Sequence, residues 1–285
     1  MRLRQFEAAV EYEEAALEFL AAHEGRNSLP LGICSTLIAS PGRYQTQAYL
    51  AIVEDEGRVV AATVWTPPHN VVLAWTERPD AVELIAEHIH RDGLQPLGVL
   101  GPTPTSLVFA EAWRRLTGQE FELEKAQRAF QLESVVPVEH VPGRLRRATP
   151  DDLDLVLEWS VAFEHEVFGE SDETRLARVV PERLAEQTET SGMWIWVDGV
   201  SAALAGCGGL TPNGVRIGPV YTPPELRRRG YASACTAALT SHLLRAGRRY
   251  CFLFTDLANP TSNHIYQEIG YRPVCDVDMY QFNRR

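Results

Sequence analysis

A short turn between an apolar run and a helical pattern constrains the fold of this chain more than any other segment. The apolar run covers residues 215–221, and after a pair of prolines the sequence RRRGYA follows at 227–232. From Tyr231 onward, apolar residues recur at the three- and four-residue spacing of a helix. The segment therefore predicts a strand, a glycine-containing turn and a helix, in that order.

The first turn of such a helix suits a phosphate group. Its backbone N–H groups have no partner inside the helix, and the helix dipole places positive potential at the same end. The small residues Gly230 and Ala232 let a ligand approach the backbone. The neighbouring arginines offer forked donors to phosphate oxygens. A helix start with solvated arginines has the same pattern, so the turn alone leaves both interpretations open.

A second motif follows at the place that a phosphate site of one known kind requires. The spacing Arg227-x-x-Gly230-x-Ala232 resembles the pyrophosphate loop of the GNAT acetyltransferase superfamily, which binds acetyl-CoA. The segment NPTSNHIY at 259–266, followed by a Gly-Tyr pair, is similar to the second signature of that superfamily. The resemblance covers about residues 142–285, and two linked signatures are more specific than either one. The P-loop motif and the G-x-G-x-x-G motif are absent from the sequence.

The resemblance implies that acetyl-CoA binds along a strand end, the turn and the segment before the last helix. The strand end would pair its backbone with the pantetheine arm, and one of its N–H groups would face the thioester oxygen. The link from strand to turn is longer than is usual in the family, so the resemblance does not identify which residue supplies that N–H group. For the two asparagines, a plain Asn-Pro turn and a helix start are the alternatives. The residues assigned to acetyl-CoA are Val220, Tyr221, Thr222, Arg227, Arg228, Arg229, Gly230, Tyr231, Ala232, Asn259 and Asn263.

Tyr266 is the candidate acid for the departing thiolate, given the motif that precedes it. A thiol has a pKa of about 8.5 and a tyrosine about 10, so full proton transfer is uphill by about 2 kcal/mol. Donating a hydrogen bond to the thiolate is therefore the role with the smaller free-energy cost. The alternative is a buried tyrosine whose hydroxyl is satisfied within the core.

The acceptor amine must lose a proton before it attacks. Neutralising a lysine-like amine at pH 7 costs roughly 4.6 kcal/mol, whereas an α-amino group costs about 1 kcal/mol. Glu164 and Glu166 end the first helix of the second half, a region that in this superfamily overhangs the acceptor site, and they are the candidate bases. A solvated acidic helix end, with water chains carrying the proton, is the alternative.

The sequence divides into two halves that predict the same order of strands and helices. Both halves predict strand, two helices, three strands, helix, strand, helix and a closing strand, and the linker 135–143 contains two prolines and a glycine. We expect an α/β (α+β, GNAT-like) fold, with a mixed, centrally parallel-paired sheet flanked by helices, present twice in tandem. Residues 1–141 would be a degenerate copy and residues 142–285 the N-acetyltransferase domain. An unrelated α/β domain at 1–141 is the alternative.

The first half lacks the residues on which the chemistry depends. Glu77-Arg78-Pro79-Asp80 occupies the turn that corresponds to 227–232, and it places negative charge where phosphates would lie. Aligning the Pro-Thr-Ser segments at 104–106 and 260–262 sets Ala110 opposite Tyr266. The first half is therefore expected to be a degenerate copy that packs against the second half and helps to shape the acceptor site.

Composition limits the compartment and the partners. The net charge of −11 argues against a nucleic-acid binder and weakly favours cationic substrates. No apolar run approaches the 18 residues of a membrane span, and five glutamates in the first 20 residues are unlike a secretory signal. Five cysteines without a C-x-x-C pair predict reduced thiols, a cytoplasmic location and no metal site.

These observations together predict an enzyme that moves an acetyl group from acetyl-CoA to a primary amine by direct attack. Two other functions fit the same motifs. A non-catalytic acyl-CoA-binding or sensor protein would keep the binding loop without turnover, and a transferase on the same fold would use another acyl donor. The acceptor itself and the oligomeric state have no sequence signature.

Overall fold

The structure is a computed structural model that describes residues 1–44 and 46–283. The strands of the first half are β1 (Arg2–Phe6), β2 (Tyr49–Asp55), β3 (Arg58–Trp65), β4 (Val71–Leu73), β5 (Gly98–Pro102) and β6 (Phe121–Leu132). Its helices are α1 (Ala9–Ala21), α2 (Ser28–Ala39), α3 (Pro79–Arg91) and α4 (Thr103–Thr117). The strands of the second half are β7 (Arg144–Arg147), β8 (Gly192–Asp198), β9 (Val200–Leu210), β10 (Gly214–Tyr221), β11 (Tyr250–Asp256) and β12 (Arg272–Phe282). Its helices are α5 (Leu153–Phe168), α6 (Glu173–Ala185), α7 (Tyr231–Arg245) and α8 (Pro260–Ile269).

Packing divides the chain into two compact units. The first comprises Met1–Phe130, Phe254–Pro260 and the segment from Pro273 onward, and the second comprises Gln131–Leu253 and Thr261–Arg272. Most of the C-terminal strand β12 therefore packs with the N-terminal half of the sequence. The division of the sequence into two copies, 1–141 and 142–285, concerns duplication and stays a prediction.

The first unit is a sheet with a helical pair on each face. Its strands lie in the order β1-β2-β3-β4-β5-β12-β6. Side chains alternate across β2, so that Leu50 and Ile52 pack with α1 and α2, whereas Tyr49, Ala51 and Val53 pack with α3 and α4. Both faces are covered, which explains why this strand is a continuous apolar run.

The second unit repeats this plan in the order β7-β8-β9-β10-β11. Helices α5 and α6 cover one face through a cluster that includes Trp159, Leu176, Met193 and Tyr221. Strands β10 and β11 are parallel, as a strand–helix–strand crossover through α7 requires. Strands β4 and β5 of the first unit are also parallel. The predicted mixed sheet with a central parallel pair, present twice, is confirmed.

No helix in the described part of the chain is long and apolar enough to cross a bilayer.

Candidate active site

The arginine-glycine turn begins α7 in a conformation that favours glycine. A short 3₁₀ turn at Pro224–Leu226 leads into it, and Arg228 has a φ of 62°. Gly230 is the N-cap of α7 with φ 80° and ψ 0°, and its carbonyl accepts the first helical hydrogen bond from the N–H of Ala234 at 2.9 Å. A Cβ atom at position 230 would lie 2.8 Å from Cγ2 of Val141, which is closer than carbon atoms tolerate. Backbone angle and space therefore both call for glycine here.

The two parallel strands beside this turn separate before they end. The register of β10 with β11 runs from Gly214 opposite Tyr250 to Arg216 opposite Phe252 and stops there among the described residues. Residues 217–221 continue β10 beyond the last pair, still joined to β9 on the other side, with an irregular register between Ile217 and Val220. The backbone of this stretch is available on the β11 side to pair with an extended ligand.

Arg227 joins three of the predicted site elements. Its Nε donates to the carbonyl of Thr222 at 2.8 Å, and its guanidinium carbon lies 5.8 Å from the ring centroid of Tyr221. Its Nη2 pairs with the Glu166 carboxylate at the end of α5. The turn is thus fastened to the strand end and to the first helix of the unit, while residues 227–230 remain exposed to solvent.

Tyr231 fastens the other side of the turn. Its hydroxyl donates to Oδ2 of Asp198, the last residue of β8, at 2.6 Å, and this hydrogen bond raises the pKa of the Tyr231 phenol. Arg229 reaches back to the carbonyl of Glu225 at 3.4 Å. Ala232 lies in the first turn of α7, and its small side chain lets a ligand come close to the backbone N–H groups of that turn.

Tyr266 lies on α8 beside the second turn of α7. Its ring meets that of Tyr271 edge to face, with 6.0 Å between centroids. Burial is the main cause that raises the pKa of Tyr266 above its ordinary value, and the nearby Cys235 on α7 contributes in the same direction. The hydroxyl therefore stays protonated throughout the neutral range and can act as a hydrogen-bond donor.

The two asparagines lie on either side of the start of α8. Asn259 is exposed, its backbone N–H donates to the carbonyl of Asp256 at 3.0 Å, and it belongs to the segment that packs with the first unit. Asn263 is half-buried in the first turn of α8. The Asn-Pro turn is present as a structural feature, and a role in binding acetyl-CoA stays a prediction for both residues.

Both candidate bases form ion pairs with arginines. Glu164 pairs with Arg175 of α6, and its second oxygen accepts from the N–H of Asp172 at 3.4 Å. Glu166 pairs with Arg227, as described above. An ion pair must open before either carboxylate takes a proton, so the pairing favours an electrostatic or positioning role for both residues.

A cavity of about 100 Å³ lies in the second unit where α5 and α6 cover the sheet. Glu164 and Arg175 stand at its wall together with Arg183, and Pro219 belongs to the part of β10 that β11 no longer pairs. Sequence reasoning missed the two arginines. A signal was present, because Arg183 follows Leu176, Val179 and Val180 at the spacing of the apolar face of α6, where a charge is unexpected.

In the first unit, the segment at 75–80, which precedes and begins α3, is held by side chains of the same unit. The ring of Trp75, just after β4, packs against the guanidinium of Arg26 and the ring of His23, each at 4.3 Å, and the backbone N–H of Trp75 donates to Oδ1 of Asn27 at 2.8 Å. At the start of α3, Arg78 binds Asp80 instead of presenting a free cation. The turn that corresponds to residues 227–232 therefore contains an ion pair within the first unit.

Comparisons with known proteins agree with this geometry. A family model described as FR47-like protein matches residues 195–279, which include both sequence motifs. A search of curated protein sequences gave no match. A GNAT-family acetyltransferase from Colwellia psychrerythraea is similar over 100% of both chains, at 12% identity and a TM-score of 0.57. A tandem GNAT protein from the clavulanic acid biosynthesis pathway is similar over 99% of this chain and 98% of its own, at 16% identity and a TM-score of 0.60.

A GCN5-related N-acetyltransferase from Sphaerobacter thermophilus is similar over 99% of this chain and 96% of its own, at 16% identity and a TM-score of 0.61. At these identities, the likeness shows a common fold. The likeness extends over the whole chain, and one of these structures is itself a tandem protein.

Proposed function

We propose that the chain is a member of the GNAT superfamily, whose fold it shares, and that it transfers an acetyl group from acetyl-CoA to a primary amine. The observation that carries the proposal is the pairing of two features in the second unit. Gly230 opens α7 with exposed arginines around it, and β10 loses its pairing with β11 just before the same turn. The first feature suits a diphosphate and the second suits the extended pantetheine arm.

In this proposal, the chain holds the donor with its main chain. The N–H groups of residues 228–232 would bind the diphosphate, and Arg227, fixed by Thr222 and Glu166, would supply a pre-oriented cation. The backbone of Val220 to Thr222 would line the pantetheine arm. Because Pro219 has no N–H, the donor to the thioester oxygen must come from another residue of the separated stretch.

The reaction then needs a neutral amine and a stabilised leaving group. The amine nitrogen attacks the thioester carbon, and the carbon–sulfur bond breaks as the proton of the amine is lost to water or to a carboxylate. Tyr266, kept protonated by burial, would donate a hydrogen bond to the departing thiolate. Glu164 lies at the cavity wall and would face the acceptor amine, whereas Glu166 would serve chiefly to hold Arg227.

The same proposal includes a cytoplasmic location, because all five cysteines are unpaired thiols and four of them are buried. Acetyl-CoA is the proposed donor because the superfamily uses it. Longer acyl-CoA donors are the alternative, and the size of the acyl group that the site accepts distinguishes them.

Release of free CoA thiol, followed with a panel of amines, tests the function. We expect acetyl-CoA to bind and thiol release to depend on an added amine, and Tyr266→Phe to lower kcat while the Kd of acetyl-CoA stays the same. Binding of acetyl-CoA without release for any amine would point to a sensor protein. Release only with a longer acyl-CoA would point to another donor.

A further inference from the structure

We infer that the linker 135–143 forms a second wall of the coenzyme site at Gly230, and that backbone N–H groups of residues 138–141 bind the nucleotide end of coenzyme A. This inference rests on the proposed function and deepens it, because it adds a segment outside both sequence motifs to the same site. The ligand chemistry is that of a nucleoside with phosphate groups, whose oxygens accept hydrogen bonds from backbone donors.

The linker is held to the second unit on both sides of this segment. Before it, the N–H of Val136 donates to the carbonyl of Ile269, the last residue of α8, at 2.8 Å. After it, Nε1 of Trp196 on β8 donates to the carbonyl of Pro142 at 3.0 Å. The chain between these two hydrogen bonds therefore runs from the end of α8 to β8.

This path crosses the start of α7. Cγ2 of Val141 would lie 2.8 Å from a Cβ atom at Gly230, the N-cap of the helix. Strand β9 separates β8 from β10 in the sheet, so the contact with Trp196 lies on the side of the turn away from β11. The pantetheine arm is proposed to lie between β10 and β11, and in coenzyme A the nucleotide lies beyond the diphosphate from that arm. The nucleotide end therefore faces the linker.

The middle of the linker has hydrogen-bond donors that the protein does not use. Within residues 1–44 and 46–283, the backbone N–H groups of 138–141 make no hydrogen bond. The side chains of Glu139 and His140 are 75% and 94% exposed, so a ligand can reach this segment from solvent. These donors lie beside the N–H groups of the first turn of α7, which are also without partners inside the helix. Two sets of backbone donors next to each other suit an anion.

Hydrogen–deuterium exchange of the unaltered protein tests the inference. Saturating coenzyme A should slow exchange in peptides that cover 138–141 by about tenfold or more, because N–H groups bound to phosphate must be released before they exchange. Saturating pantetheine should leave this exchange unchanged, since it has no nucleotide. The turn at 211–214 is the control segment, because it lies at the opposite end of β10 from the proposed site, and it should respond to neither ligand.

A charge placed in the linker gives a second measurement. His140→Glu adds a negative charge at an exposed position, so the Kd of coenzyme A should rise about threefold or more at about 0.1 M salt. The effect should shrink at about 1 M salt, and the Kd of pantetheine should stay the same. Arg245→Gln is the matched control, since it changes the net charge equally at the other end of α7, roughly 20 Å from Gly230. It should change neither Kd.

Three results would overturn the inference while the proposed function stands. They are coenzyme A binding that leaves exchange at 138–141 unchanged, equal slowing by pantetheine, and a Kd that His140→Glu raises no more than Arg245→Gln. If His140→Glu fails to fold, exchange in the unaltered protein decides. Absence of coenzyme A binding to the unaltered protein would instead overturn the proposed function, and this inference with it.

Discussion

Substituting alanine for Gly230 should damage both the stability of the second unit and its affinity for acetyl-CoA. The backbone at Gly230 has φ 80°, a conformation that costs a residue with a Cβ atom about 1–2 kcal/mol. The new Cβ atom would also lie 2.8 Å from Cγ2 of Val141, whereas carbon atoms pack best at about 3.5–4.0 Å. Either the linker or the turn must therefore shift by about 1 Å, and such overpacking typically costs about 1–3 kcal/mol.

Gly247→Ala provides the matched control. Gly247 follows the other end of α7 with φ 91°, and a Cβ atom there would meet nothing within 4 Å. It should lose only the backbone contribution of about 1–2 kcal/mol, so the difference between the two variants isolates the contact with Val141. Val141→Ala in the Gly230→Ala background should recover about 1 kcal/mol or more of the free energy of unfolding.

Urea unfolding and calorimetric titration with acetyl-CoA measure the two effects. We expect Gly230→Ala to weaken acetyl-CoA binding by tenfold or more, because the N–H groups that would bind the diphosphate move with the turn, and Gly247→Ala to leave the affinity unchanged. Equal losses of stability and unchanged affinity in both variants would refute the reasoning.

Three further predictions concern single contacts. Tyr266→Phe should lower kcat by roughly 10²-fold or more, and an unchanged kcat would exclude Tyr266 as the catalytic acid. Because burial raises the pKa of Tyr266, kcat of the unaltered enzyme should not fall through deprotonation of this residue below about pH 10. Glu166→Gln should raise the Kd of acetyl-CoA without changing the pH profile of kcat, since its ion pair with Arg227 holds the turn; a profile that changes instead would identify Glu166 as the base. Arg146 lowers the pKa of Asp152 to about 2 through two hydrogen bonds of 2.7 and 2.6 Å, so the stability that this pair supplies is present above about pH 4 and is lost as the pH falls toward 2. After discounting for solvent screening it amounts to about 1 kcal/mol, and Asp152→Asn should remove both this amount and its pH dependence in acid unfolding curves; an unchanged acid transition would contradict it.

The main elements of the fold could be predicted from the sequence because the spacing of apolar residues and the positions of the turn-forming glycines and prolines indicate the same boundaries. The apolar run 215–221, the glycine at 230 and the helical spacing after it specify β10, the turn and α7 almost residue for residue. The parallel pairing of β10 with β11 followed from the helix between them. These signals are local or follow from chain topology, so a single sequence contains them.

The packing partner of the last strand could not be predicted in this way. The sequence pattern placed β12 at the end of the second half, whereas its residues from Val277 to Gln281 pair with β5 of the first unit. Its side-chain pattern suits any sheet edge with one buried face, and the choice of edge depends on which strand elsewhere lacks a neighbour. That information is nonlocal.

The site shows the same limit. Charge and motif identified Arg227, but not that its partners are Thr222 and Glu166, because those contacts join residues far apart in the sequence. Arg183 was missed because only the structure shows that it stands at a cavity wall beside Pro219. The close approach of Val141 to Gly230 depends on the path of the linker, which has no periodic signal.

Calorimetric titration of the unaltered protein with coenzyme A and with pantetheine tests the central claim most directly, because the two ligands share the arm but only coenzyme A carries the diphosphate. Binding of coenzyme A that is at least 100-fold tighter than that of pantetheine is the predicted result. Equal affinities, or no heat from coenzyme A, would contradict a diphosphate site at Gly230.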